Sequence, residues 1–169
     1  MKVPKTAALV FGILGLVVCA ELVREYTAPM RGRLAVPEFS ISVKLSETAQ
    51  KKLRGMHESV LVIAYFDGDP LPGKGKDNSP MRGVVLGNDE KLVDANNVAT
   101  FDDTKISQSN WNDLADKDFY VTINVVSARK ASKDNLLDCD VPIGRISTFV
   151  GKSTQVFCGL IGERNAVSN

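Results

Sequence analysis

Apolar and polar residues alternate strictly from Phe39 to Leu45, in the order Phe-Ser-Ile-Ser-Val-Lys-Leu. Successive side chains of an extended chain point to opposite faces. The pattern therefore predicts a half-buried β-strand with Phe39, Ile41, Val43 and Leu45 toward the core. Ser46 follows, and its hydroxyl can accept a bond from a free backbone N–H at a helix start. Glu47 suits the positive end of the helix dipole. Ala49 and Leu53 lie four apart on one face, and Gly55 after Lys51, Lys52 and Arg54 can supply a left-handed cap. One short helix is expected between the first two strands. Residues 60–66, Val-Leu-Val-Ile-Ala-Tyr-Phe, are continuously apolar. That run fits a central strand buried on both faces, or one inside a sandwich.

Later in the chain, residues 119–126 and 154–161 are rich in β-branched and aromatic residues, with polar groups interleaved. Both read as strands. Residues 67–80 are dense in Gly and Pro and read as a long loop. A strand over 81–86, a turn at Gly87-Asn88-Asp89, and short strands at 91–93 and 98–101 follow. Residues 102–117 are polar, and Trp111 with Leu114 predicts a helical turn that closes one end of the core. About seven strands, one or two short helices and no βαβ alternation predict a mostly β fold, an antiparallel β-sandwich over residues 38–164. Residues 165–169 read as a disordered tail. The order strand, capped short helix, apolar strand ending in Ala64-Tyr65-Phe66, acidic turn resembles small exported β-sandwich modules. The periplasmic end domains of cytochrome c assembly proteins are among them. The resemblance covers about a third of the chain, involves no functional motif and bears on the fold alone.

The N-terminus adds a compartment. Lys2 and Lys5 precede an uncharged run over 6–20, and Val18-Cys19-Ala20 carries residues that signal peptidase accepts. This is the layout of a signal peptide over 1–20, cut after Ala20. The alternative is a membrane anchor over 6–24, although the uncharged run is shorter than the roughly 20 residues a span wants. A lipoprotein reading on Cys19 meets a bulky Val18 where a small residue is expected. Residues 21–37, with Arg24, Arg31 and Arg33 among prolines and a glycine, read as a linker or arm, with a helical turn possible near Leu22. Loss of Cys19 with the leader leaves Cys139 and Cys158, and an even pair in an exported chain is expected to form a disulfide.

Composition removes several classes. The 44% hydrophobic and 24% charged content is that of a globular protein, and the net charge of +1 leaves no electrostatic footprint for nucleic acid. Gly68 to Gly75 matches the first part of a phosphate-binding loop. Gly75, however, stands where the Mg²⁺-ligating Ser or Thr belongs, and Pro70 and Pro72 remove amides such a loop would use. Asp67, Asp69 and Asp77 supply oxygen ligands without the spacing of a calcium loop, and read as acids of a solvated loop. Asp102-Asp103 and the acids flanking Cys139 read as turn residues. His57, the only histidine, lacks a nucleophile partner in sequence. Neither a metal nor a cofactor is expected.

The candidate binding residues are Arg129, Lys130 and Lys133. They leave a core strand on a loop that leads to Leu136, Leu137 and Cys139. Loops fixed by a rigid scaffold are where binding residues concentrate. The sequence thus predicts a non-enzymatic, disulfide-stapled module that binds another envelope protein, in the periplasm or outside the cell. It could stay tethered through the N-terminal segment as a single-pass inner-membrane protein. A small periplasmic hydrolase with a dispersed carboxylate site is the alternative.

Overall fold

The computed structural model describes residues 32–74, 83–93 and 97–163. The expected leader, the alternative anchor, Cys19, Asp77, most of the arm and the tail lie outside the described residues. Among those described, no helix is long and apolar enough to cross a membrane.

The strands are β1 (Arg33–Ala35), β2 (Phe39–Leu45), β3 (Val60–Gly68), β4 (Val84–Leu92) and β5 (Val98–Phe101), then β6 (Lys105–Ser107), β7 (Tyr120–Ser127), β8 (Leu137–Cys139), β9 (Ile143–Arg145) and β10 (Ser153–Leu160). Three short helices join them: α1 (Glu47–Met56), α2 (Gln108–Asn112) and α3 (Ile146–Phe149). The fold is mostly β. Two four-stranded sheets, ordered β5-β2-β10-β8 and β4-β3-β7-β9, enclose the core, and β1 with β6 forms a small ribbon. The compact unit begins at Leu34.

The core follows from the alternation. Phe39, Ile41, Val43, Val62, Ala64, Phe66, Val121, Ile123 and Val156 all point inward and are buried. Phe39 stacks on Phe101 with centroids 4.8 Å apart and meets Phe66 edge-on. Such ring pairs contribute beyond their buried area. Leu114 is buried, whereas Trp111 stays half-buried with its ring edge-on to Phe119.

Several details differ from expectation. The count is higher than seven because β1, β6, β8 and β9 have three residues each, too few to show an alternation. Within the two four-stranded sheets the named strands pair antiparallel except β2 and β10, which run parallel, Val43 opposite Val156. Gly87-Asn88-Asp89 does not turn. β4 continues through it, with a register shift that leaves Leu86 between the residues facing Phe66 and Asp67. Gly87 takes φ 143°, a conformation open to glycine, so the signal marks a bulge rather than a hairpin. Residues 91 and 92 end that same strand.

β3 is central in its sheet, as expected, but not buried on both faces. Val62, Ala64 and Phe66 face the core, while Leu61, Ile63 and Tyr65 are half-buried on the outer side. Finally, α1 runs past Gly55. His57 takes the left-handed conformation at φ 54°. Its N–H donates to Arg54 O, and the Glu58 N–H donates to Leu53 O at 2.9 Å. These two bonds close a Schellman motif on histidine rather than glycine.

Candidate functional site

That helix ending fixes Glu58 immediately before β3. Glu58 is only 8% exposed, which for a carboxylate requires partners. It has four backbone amides. Oε1 accepts Ser59 N–H at 2.9 Å and Lys130 N–H at 3.1 Å. Oε2 accepts Ala131 N–H at 2.7 Å and Ser132 N–H at 3.2 Å. Three successive amides of the basic loop thus converge on one carboxylate, the geometry of an anion nest with its anion supplied from within the chain. Burial alone pushes the Glu58 pKa up. The amides of Ala131, Lys130, Ser59 and Ser132 more than offset this, and the group lies below its usual value of 4.5.

The chain reaches the nest through a reversal. Ala128 N–H donates to Ser59 O at 2.8 Å and extends the β3–β7 ladder by one step. Arg129 then takes φ 57° and turns the following amides back toward Glu58. The far side of the loop is tied by Asn135. Its Oδ1 accepts Ser127 N–H at 2.9 Å and Leu137 N–H at 3.1 Å, and its amide donates to Leu137 O at 2.7 Å. The buried Ser127 hydroxyl accepts Leu136 N–H at 3.0 Å. Two residues further on, Cys139 stands directly opposite Cys158 on β10, with the sulfurs 2.04 Å apart at disulfide distance.

The loop backbone is therefore held at three points while Arg129, Lys130 and Lys133 remain exposed. Lys130 Nζ donates to Ser59 Oγ at 3.2 Å. The structure brings Arg129, Lys130 and Lys133 together on one short loop. Beside that loop is a hollow of about 330 Å³, floored by Leu61, Ile63, Tyr65 and Val126, with Arg129 and Glu90 at its margin.

Other residues singled out in sequence are dispersed. Lys74 pairs with Asp113 at 3.3 Å, and Asp69 pairs with Arg145 at 3.7 Å, while Asp67 is buried in the β3 ladder. His57 serves as the helix cap. Asp103 pairs with Lys91, and Asp140 accepts Phe157 N–H at 3.3 Å. Among the described residues no group of three or more His, Cys, Asp or Glu side chains could hold a metal. Among the described residues, the carboxylates that depart from their usual pKa, Glu58, Asp103, Asp118 and Glu163, all depart downward. None of these is poised to donate a proton near neutrality.

Sequence reasoning missed Glu58 altogether. Its three loop amides lie 72 to 74 residues away, and no local pattern encodes a contact of that range. The usable signal was a carboxylate placed between a helix end and an apolar strand.

Compared with protein-family models, curated proteins and solved structures, the chain finds no match.

Proposed function

We propose that this protein is an exported binding module that recognises an acidic surface of another envelope protein through Arg129, Lys130 and Lys133. One observation carries the reading: the clamp of Glu58 on three consecutive loop amides. A loop already ordered before contact loses little conformational freedom on binding, so more of the contact energy remains as affinity. The buried carboxylate is occupied by N–H groups, which leaves the outward charge of the loop basic. Basic side chains on a fixed frame steer an acidic partner and fix its register.

Export is part of the same proposal. The lysine-led apolar segment over 6–20 and the Cys139–Cys158 pair both suit an oxidising compartment, the periplasm or the exterior. The N-terminal segment serves there as a leader or as a tether.

The test is affinity isolation from an envelope extract with the natural protein and with the Arg129→Glu, Lys130→Glu, Lys133→Glu variant. The expected result is a partner with an acidic surface, retained by the natural loop, lost in the variant and released by salt. Identical retention by both proteins counts against the proposal, as does release that is insensitive to salt.

A further inference from the structure

We propose that the partner segment taken by the basic loop carries, next to its acid, a bulky apolar side chain and then a basic residue, and that these seat in the hollow beside the loop. This rests on the function proposed above and extends the contact from the loop onto the neighbouring strands.

The strand register sets the order of the contacts. Going along β3 away from the loop, the outward residues are Leu61, Ile63 and Tyr65. The Leu61 row is apolar throughout, with Leu92 of β4 on one side and Val126 of β7 on the other. The Ile63 row is flanked by Glu90 and Asn124, and the Tyr65 row by Asn88 and Thr122. The outer face is thus mixed, and only the row next to the loop is wholly apolar. That row borders the hollow of about 330 Å³. Such a volume is at the low end for a ligand pocket and suits one large side chain with its adjoining backbone.

Charge says what the occupant carries at either end. Arg129 and Glu90 both line the hollow. Ala128 is level with Ser59, so Arg129 lies one residue beyond that row, while Glu90 is level with Ile63. About five residues of strand, or roughly 17 Å, separate the two levels. They do not reach each other, and among the described residues neither makes an ion pair. A cation at one end of the hollow and an anion at the other are matched by a segment with its acid and its base in the opposite sense. Both side chains lean inward, so the acid and base of an extended segment stand about three to five residues apart, with the apolar residue between them. A uniformly acidic segment meets repulsion at Glu90.

The full chain titrated into a fluorescein-labelled heptapeptide, Glu-Glu-Ser-Leu-Ser-Lys-Lys, reads the contact by anisotropy. Saturable binding in the range of about 10–500 µM is expected. Replacing the peptide's leucine by serine weakens it about tenfold, the least that burying such a side chain is worth. Replacing its lysines by glutamine weakens binding to the natural protein about threefold and leaves binding to Glu90→Gln unchanged. Glu90 is exposed, so this variant keeps its fold. Binding indifferent to both replacements overturns the inference, and so does the absence of saturable binding. The fate of the loop reading is separate. If changing the peptide's glutamates to glutamine still abolishes binding, the loop takes the acid without help from the hollow. If that change has no effect, the loop reading fails as well. Where no peptide binds, the isolation from an envelope extract decides it.

Discussion

Ala131 donates its backbone N–H to the Glu58 carboxylate at 2.7 Å across 73 residues of chain. Lys130 and Ser132 donate on either side of it, so the loop conformation is read off one side chain. Glu58→Gln keeps the shape, removes the charge and turns one acceptor into a donor facing donors. A buried amide left unsatisfied costs about 1–3 kcal/mol, and these part-buried ones sit at the low end of that range. Urea unfolding is expected to show that loss. Hydrogen exchange should show amides 130–132 losing protection ahead of the rest of the protein. Unchanged protection there would mean that Asn135 and the sheet hold the loop without Glu58.

The same carboxylate gives the stability a pH dependence with a definite sign. The pKa of Glu58 is lowered in the folded protein from the usual 4.5, because the amides outweigh its burial. A group lowered by folding binds its proton more readily when unfolded. Its contribution is whole above about pH 4.5 and is lost as pH falls through the lower folded value. Asp118, held down by the Ser147 amide and hydroxyl, and Glu163, held down by the Leu160 amide and the Ser46 hydroxyl, act in the same direction. Urea midpoints measured from neutrality downward should fall below about pH 4.5, and fall less steeply in Glu58→Gln. Parallel curves for the two proteins would show that Glu58 carries no part of the acid response.

The fold was legible wherever a pattern was long enough to repeat. The alternation from Phe39 to Leu45 named its core residues. Ser46 was readable as an N-cap from its place alone, and its Oγ does accept Ala49 N–H at 3.0 Å. Strands of three residues carry no period, so β6, β8 and β9 exist through their partners alone. β3 left two readings open, burial on both faces or a place inside a sandwich, and the structure gives the second. An unbroken apolar run looks the same whether the second face is covered by the protein itself or is half open. The candidate site was legible in half. Basic residues leaving a strand pointed to the loop, but its anchor lies at the end of α1, a contact that only tertiary structure creates.

His57 offers a gain in stability. It occupies a left-handed conformation in which a Cβ crowds the backbone, whereas glycine adopts it freely. His57→Gly removes that strain and loses some unfolded-state restriction, for a net gain of about 0.5 kcal/mol. The side chain is exposed, so no core packing is sacrificed. A rise in the thermal midpoint with unchanged loop protection is the expected outcome. A drop would show that the imidazole itself contributes to the cap or to Glu58.

The Cys139–Cys158 pair ties the loop to the sheet that does not contain β7. β8 is an edge strand of three residues, and its pairing with β10 is short, Leu137 to Cys139 against Leu160 to Cys158. Backbone bonds over such a length hold an edge weakly, and the covalent link supplies what they lack. The two cysteines are 19 residues apart, and closing a loop of about that size is worth about 3 kcal/mol in the chain-entropy account. Cys139→Ser with Cys158→Ser should lower stability by about that amount and loosen the amides from Leu136 to Asp140, while those held by Glu58 keep most of their protection. Combining these substitutions with Glu58→Gln should then release the loop from both ends, with a loss larger than the sum if the two anchors reinforce each other. Alkylation of the non-reduced protein checks the premise: if iodoacetamide labels both Cys139 and Cys158, the link is absent and the loop rests on its hydrogen bonds alone.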